Sequence, residues 1–195
     1  IGFSSTIDDT GSDSDLTLNA GGGGAVSVVG EVGTTDALSS FTVANAVQVD
    51  VVNVTSTGAQ SVTASNIDLN GTAYTSTTAG AISFTGPVDL DSAGALSIAT
   101  AGGAGDDIGF SSTIEDTGSD SDLTLNAGAA GAVSVAGAAG ATNALSSFTV
   151  ANAAQTDLAN VTSTGAQSVT ASNIDLNGTG YTSTTATIDF AGVVD

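Results

Sequence analysis

Apolar residues alternate with polar ones in short segments along the whole chain. The clearest alternating pairs are Ile1/Phe3, Leu16/Leu18, Val26/Val28, Phe41/Val43, Ile67/Leu69, Ile82/Phe84 and Leu96/Ile98. Because successive side chains of a strand point to opposite faces, this period of two predicts β-strands with one buried face. Glycine-rich segments such as AGGGG, NGT and AGGAGDD lie between the pairs and are typical of turns. No window shows an apolar stripe of period 3.6, so we expect an all-β fold with helix nearly absent.

The chain contains two copies of one long repeat. IGFSSTIDDTGSDSDLTLNA begins at residue 1, and IGFSSTIEDTGSDSDLTLNA begins at residue 108. Residues 1–79 and 108–186 differ at only 13 of 79 positions. The first copy therefore spans 1–107, and the second, incomplete copy spans 108–195.

A shorter unit of about 24 residues is nested inside the long repeat. Residues 82–107 and 108–131 share one plan, which is an apolar-x-Phe strand, an acidic turn, a Leu-x-apolar strand and a Gly-Ala turn. The length of the long repeat also suits an immunoglobulin-like sandwich, but a sandwich does not explain the shorter unit. We therefore predict one continuous parallel β-helix (β-solenoid) over 1–195, with about 20–26 residues per coil and four or five coils per long repeat.

Two details of this prediction concern stacking. In register, like side chains should lie on like, with valine over valine, asparagine over asparagine, and Phe3 at a position like that of Phe84. Residues 49–81 fit the unit least well, and they form either one long coil with an insertion or one and a half short coils.

The repeats resemble those of giant bacterial surface proteins of the filamentous haemagglutinin-like, β-strand-repeat type. The similar segments are ISFTGPVDLDSAGALSIATAGG, LTLNAGGGGAVSVVGEVG, ALSSFTVANA and VTSTGAQSV. The resemblance implies a right-handed β-helix that is exported to the cell surface, as an adhesin shaft or an extracellular fibre. The total absence of Lys and Arg departs from that family and favours a structural role over receptor binding.

Composition excludes several functions. The chain has no Lys, Arg, His, Cys, Met or Trp, and its 20 Asp and Glu residues give a formal net charge of −20. Nucleic acid is not a plausible partner, because phosphate binding depends on cationic side chains. The chain cannot form a Ser-His-Asp triad, a Cys or His nucleophile site or an ordinary zinc site. No apolar run approaches the roughly 20 residues that span a bilayer, so membrane insertion is not expected.

Two nearly identical acidic turns are the candidate metal sites. Carboxylates at short spacing in a Gly/Ser loop can bind calcium together with backbone carbonyls. The alternative is a solvated turn in which Asp and Ser make local hydrogen bonds. The eight candidate ligands are Asp8, Asp9, Asp13 and Asp15 in the first copy and Glu115, Asp116, Asp120 and Asp122 in the second.

Other motifs carry weaker chemical signals. GGAGDDIGF at 102–110 begins like a calcium-binding β-roll repeat with Asp107 at the acidic position, but Gly109 stands where a large apolar residue is required. A polysaccharide-hydrolysing carboxylate pair would need exposed aromatic platforms, for which only Tyr74 and Tyr181 are candidates. We therefore expect no enzymatic activity and no required cofactor, with calcium as an optional ligand.

The expected function follows from the architecture. Neither end has a recognisable capping segment, and an uncapped solenoid end is a template for another strand. We expect identical subunits or further repeats of the chain to stack end to end. The segment would then be a structural repeat of an extracellular or cell-surface fibre. The alternative is the shaft of a large adhesin that binds carbohydrate or another cell surface.

Overall fold

The computed structural model describes residues 1–11, 13–92, 94–118 and 120–195. In this part of the chain every regular element is a β-strand, and every strand pair is parallel. The chain winds into a β-solenoid of about 8 turns with about 23 residues per turn. At a strand spacing of about 4.8 Å, the stack is about 40 Å long. The predicted all-β solenoid is confirmed, and its right-handed winding stays a prediction.

The strands are short, as expected for a chain that turns three times in each coil. In chain order they are β1 (Gly2–Phe3), β2 (Asp15–Asn19), β3 (Ala25–Val28), β4 (Ser40–Ala46), β5 (Gln48–Val51), β6 (Val54–Ser56), β7 (Gln60–Ala64), β8 (Ile67–Leu69), β9 (Ala73–Ser76), β10 (Ile82–Thr85), β11 (Val88–Leu90), β12 (Ala95–Ala99), β13 (Ile108–Phe110), β14 (Ile114–Glu115), β15 (Asp122–Asn126), β16 (Ala132–Val135), β17 (Ser147–Leu158), β18 (Val161–Ser163), β19 (Gln167–Leu176), β20 (Tyr181–Ser183) and β21 (Ile188–Val194).

The strands stack in three columns, and each turn of the chain visits them in the same order. Column one contains β1, β3, β5, β8, β11 and β14, and continues through single bridges to β18 and β20. Column two begins with the bridges at Ile7 and Val32 and contains β6, β9, β12 and β15. Column three contains β2, β4, β7, β10, β13 and β16. The long strands β17, β19 and β21 run from column two into column three across a bulge.

The core is a continuous apolar stack along the axis. Strands alternate buried and half-buried side chains, as the period of two predicts. Phe84 lies on Phe110 with their ring centroids 5.1 Å apart, and Ile82 lies in register with Ile108. Phe3, by contrast, pairs in register with Val28. Identical residue types stack on one another at many positions, but a residue that recurs in the repeat does not always stack on an identical residue.

The long repeat is out of phase with the coil. Four turns separate β1 from β11 in column one, after which β12 lies in column two and β13 in column three. The second copy begins in β13, so one repeat covers four and two-thirds turns. The first copy starts in column one and the second starts in column three. Successive copies are therefore rotated by two-thirds of a turn about the axis.

Residues 49–81 contain some of the shortest turns of the solenoid. Val49 pairs with Ile67 in column one, and this turn is much shorter than the one from Ile82 to Ile108 in column three. Strands β5 to β9 cover one and two-thirds turns here, which matches the alternative of short coils rather than one long coil. Asn53 tightens this region, because its Oδ1 accepts the backbone N–H groups of Thr72 at 2.7 Å and Ala73 at 3.0 Å. No helix in the described part of the chain is long and apolar enough to cross a membrane.

Candidate functional site

The first acidic turn is held by its own carboxylates. Asp9 Oδ2 accepts the N–H of Ser14 at 2.6 Å, and Asp9 Oδ1 accepts the N–H of Gly11 at 3.0 Å. Asp8 Oδ1 accepts the N–H of Thr35 from the next coil at 3.0 Å. Asp15 Oδ1 accepts the hydroxyl of Ser40, also from the next coil, at 2.6 Å. The carboxylates thus close the loop and fasten it to the neighbouring coil.

The second acidic turn repeats this arrangement in another column. Asp116 Oδ2 accepts the N–H of Ser121 at 2.7 Å, and Asp122 Oδ1 accepts the hydroxyl of Ser147 at 2.6 Å. Glu115 Oε2 accepts two backbone N–H groups of the next coil, from Thr142 at 3.0 Å and Asn143 at 2.8 Å. The longer Glu side chain therefore reaches one more donor than the Asp8 carboxylate in the first copy.

The remaining candidate ligand of each turn has a backbone role. Asp13 and Asp120 have φ angles of 50° and 51°. This left-handed conformation is unusual for residues other than glycine, and Asp tolerates it better than most. The two copies therefore form the same tight turn although they lie in different columns.

The carboxylates of the acidic turns do not converge on one point. Across residues 1–11, 13–92, 94–118 and 120–195, no group of three or more carboxylates is placed to hold a metal ion. Three of the four carboxylates in each turn accept hydrogen bonds from neutral donors. This favours the interpretation as hydrogen-bonded turns, and calcium binding stays a prediction.

The segment with the β-roll motif uses its carboxylates in the same way. Asp106 is buried, and its two oxygens accept the N–H groups of Gly80 and Gly103, both at 2.7 Å. Asp107 Oδ1 accepts the N–H of Ala132 from the next coil at 2.8 Å. Both side chains therefore connect neighbouring parts of the solenoid through backbone donors.

A ladder of carboxylates runs along the outer face of column one. Asp50, Asp68, Asp89 and Glu115 occupy matching positions on four successive coils. Adjacent in-register strands lie about 4.8 Å apart, so the unscreened like charges oppose stacking. Sequence reasoning missed this ladder. Its signal was the recurrence of apolar-Asp-apolar triplets at residues 49–51, 67–69 and 88–90.

Two amide side chains hold the lower part of the ladder together. Gln48 Nε2 donates to Asp50 Oδ1 at 3.1 Å and to Asp68 Oδ2 at 2.7 Å. Asn66 Nδ2 donates to Asp68 Oδ1 at 2.8 Å and to Gln48 Oε1 at 3.2 Å. Neutral amide donors take the place that Lys or Arg would have in other proteins.

Two carboxyls of the ladder have raised pKa values. The pKa of the Asp68 carboxyl is raised from 3.8 to about 6, first by burial and then by the hydrogen bond and the charge of Asp50. The charges of Asp91 and Asp89 act in the same direction. The pKa of Asp89 is also raised, chiefly by burial, although a hydrogen bond from Asn66 opposes the change. Below about pH 6, the Asp68 carboxyl is therefore protonated.

The second copy carries a corresponding ladder in column three. Asp157 and Asp175 lie in register, and Gln155 Nε2 donates to Asp157 Oδ1 at 3.0 Å. Asn173 Nδ2 donates to Gln155 Oε1 at 3.0 Å. Because the copies are rotated, the acidic ladder of column one ends after Glu115 and its counterpart begins on another face. The rotation thus limits how many like charges stack in one line.

The expected aromatic platforms are not both exposed. Tyr74 is only 1% exposed, so its interpretation as a surface residue is wrong. Its hydroxyl donates to the Val51 carbonyl at 2.8 Å and accepts the Gly71 N–H at 3.1 Å. Tyr74 lies under the next coil, which sequence patterns alone do not show. Tyr181 makes the equivalent contacts on the last coil and is half-buried.

Comparison with protein-family models, with curated proteins and with solved structures finds no match. The resemblance to haemagglutinin-like surface repeats therefore rests on the repeat sequences alone.

Proposed function

We propose that this segment is a structural repeat of an extracellular or cell-surface fibre, built by stacking solenoid segments end to end. Its role is mechanical rather than catalytic, and its partners are identical subunits or further repeats of the same sequence. The absence of Lys and Arg supports an exposed location, because trypsin-like proteases have no cleavage site in the chain.

One observation carries this proposal: both ends expose apolar side chains whose counterparts inside the chain are buried. Ile1 is 51% exposed, whereas its counterpart Ile108 is 0% exposed. At the other end Val194 is 45% exposed, whereas its counterpart Val88 is 0% exposed. Complete burial of such a side chain is worth about 1.5–3 kcal/mol. Another copy of the repeat would bury them as the interior does.

The backbone gives a second reason for stacking. Strands at the first and last coils present unpaired N–H and C=O groups along the axis, as at any sheet edge. Between neighbouring coils these groups pair in all three columns. The acidic surface opposes association, since all ionised side chains carry the same sign. Salt screens this repulsion, so we expect assembly to increase with ionic strength.

Sedimentation velocity and electron microscopy test the proposal. The purified chain should form elongated, end-to-end polymers as its concentration rises from micromolar to millimolar, and more readily at high salt. Val194→Asp places a charge on the last coil and should suppress polymers. Val29→Asp is the matched control, because Val29 is 67% exposed and lies within the stack. A chain that stays monomeric at all concentrations and salt conditions would refute end-to-end assembly.

A further inference from the structure

The chain contains one complete junction between two copies of its repeat. Residues 108–115 begin the second copy and lie on residues 82–89 of the first. Ile108 pairs with Ile82, Phe110 with Phe84, and Ile114 with Val88. Each of these side chains is almost fully buried. This internal junction shows how one copy accepts the next.

Each end of the chain carries one half of the same junction. Aligning the repeats makes Ile188 the counterpart of Ile82 and Phe190 the counterpart of Phe84. Ile188 is 36% exposed and Phe190 is only partly buried. At the opposite end, Ile1 and Phe3 are the counterparts of Ile108 and Phe110. The two ends are thus complementary, with isoleucine facing isoleucine and phenylalanine facing phenylalanine.

The internal junction has one component that neither end provides. Strand β12 (Ala95–Ala99) lies between β9 below and β15 above. The counterparts of β9 and β15 are β20, on the last coil, and β2, on the first coil. Residues 108–195 are the counterparts of residues 1–89, so residues 90–107 have no counterpart among them. If two chains met in the internal register, the strand place between β20 and β2 would be open.

We propose that the next copy docks in the internal register, rotated by two-thirds of a turn, and that a segment with the sequence of residues 90–107 completes the contact by filling this place. The inference rests on the proposed end-to-end assembly and adds its register and its missing strand. The partner that covers the end of the stack is therefore another copy of this repeat, and the segment equivalent to residues 90–107 connects the two copies.

Glycine contacts support this register and provide its test. A Cβ on Gly128 would clash with the Cα of Gly102, which lies in the segment of β12. Gly21 is the counterpart of Gly128 and has the same backbone, with φ angles of 72° and 71°. A Cβ on Gly21 meets nothing within 4 Å. In the proposed assembly, however, the counterpart of Gly102 would cover Gly21 and exclude a methyl group.

The same difference appears at a second glycine. A Cβ on Gly118 would lie 2.8 Å from the Cα of Asp91, whereas a Cβ on its counterpart Gly11 would be 3.9 Å from its nearest neighbour, an oxygen of Asp9. Ser121 repeats the contrast, because it is buried and its hydroxyl donates to the Ser92 carbonyl at 2.7 Å. Its counterpart Ser14 is exposed. The first coil therefore has open positions where the second copy is covered by residues of the segment 90–107.

The experiment compares the parent chain with a chain extended at its C-terminus by a second copy of residues 90–107. Sedimentation velocity measures the concentration at which each polymerises. We expect the extended chain to polymerise at a concentration lower by at least about tenfold. A chain extended by the same segment in scrambled order is the composition control and should behave like the parent. Circular dichroism and melting temperature confirm that each chain is folded.

Gly21→Ala in the extended chain tests the register. This substitution should cancel the gain in assembly. At monomeric concentration, its melting temperature should differ from that of Gly2→Ala only by the cost of the left-handed φ at residue 21. Gly2→Ala is the matched control, because a Cβ meets nothing within 4 Å at either Gly2 or its counterpart Gly109. It should leave the assembly unchanged.

The outcomes separate the two proposals. If the parent and the extended chain polymerise equally well, end-to-end assembly stands and the missing-strand register is wrong. The register is also wrong if Gly21→Ala polymerises as well as the extended parent. If neither chain polymerises, the proposed function fails, and the inference fails with it.

Discussion

Thr156 allows the cost of an unpaired polar group in the solenoid core to be measured. This residue is fully buried, and its hydroxyl oxygen has no hydrogen-bond partner in the described part of the chain. It lies in register between Val133 and Ile174. Its counterpart in the first copy is Val49, which is also fully buried, between Val26 and Ile67. The protein thus contains both residue types in equivalent environments.

Replacing the hydroxyl by a methyl group should stabilise the fold. A buried hydroxyl without a partner costs about 1–3 kcal/mol, and valine has nearly the same shape as threonine. We expect Thr156→Val to raise the free energy of unfolding by about 1–2 kcal/mol. For a domain of this size, that corresponds to an increase in melting temperature of about 2–8 °C. The reverse change, Val49→Thr, should destabilise the chain by a similar amount.

Urea unfolding followed by circular dichroism measures both variants. The slope of the free energy with urea should stay constant, so that a shift of the midpoint reports stability alone. The chain must be kept at a concentration where it is monomeric, since assembly would add to its apparent stability. A midpoint for Thr156→Val at or below that of the parent, or a Val49→Thr variant as stable as the parent, would refute the reasoning.

Three further predictions concern charge, the buried tyrosine and calcium. Because folding raises the pKa of Asp68 to about 6, the folded state binds an extra proton between about pH 4 and 6. The stability of the fold should therefore decrease as pH rises through this window. In melting curves, Asp68→Asn should reduce this pH dependence. Tyr74→Phe leaves the Gly71 N–H without its buried partner and removes one of the two hydrogen bonds to the Val51 carbonyl, which keeps the N–H of Asn70. The change should cost about 1–3 kcal/mol in urea unfolding, more than Tyr181→Phe on the last coil. Removing calcium with a chelator should leave the melting temperature unchanged, because the carboxylates of the acidic turns already accept hydrogen bonds from neutral donors. A marked decrease in melting temperature would instead show that these turns bind calcium.

In a chain without cationic side chains, neutral hydrogen-bond donors hold the carboxylates in place. Backbone N–H groups, serine hydroxyls and the amide of Gln48 donate to carboxylates of neighbouring coils, and the amide of Asn66 donates to Asp68 within its own coil. Hydrogen bonds from neutral donors do not cancel charge, so the repulsion remains. Below about pH 6, protonation of Asp68 relieves part of the repulsion. The rotation between copies also limits it, because it moves the ladder to another face.

Sequence patterns predicted the strands well because they depend on local alternation. Pairs such as Ile82/Phe84 and Leu96/Ile98 lie in strands with their side chains in the core. The short nested unit predicted the coil, because a unit that cannot bury its apolar face alone must stack on its neighbour. The acidic turns were found as loops, but which donors would meet Asp8 or Glu115 depends on the next coil, 27 residues away.

The sequence by itself determined the strand pattern, the repeat and the absence of cationic chemistry, since these follow from the order and type of residues. Only the tertiary structure decided that one repeat covers four and two-thirds turns. That phase depends on coil lengths, such as the short turn from Val49 to Ile67, which vary from coil to coil and are set by how neighbouring coils pack. The phase in turn decides which residues are neighbours along the axis, and so creates the carboxylate ladder, buries Tyr74 and makes the two ends complementary.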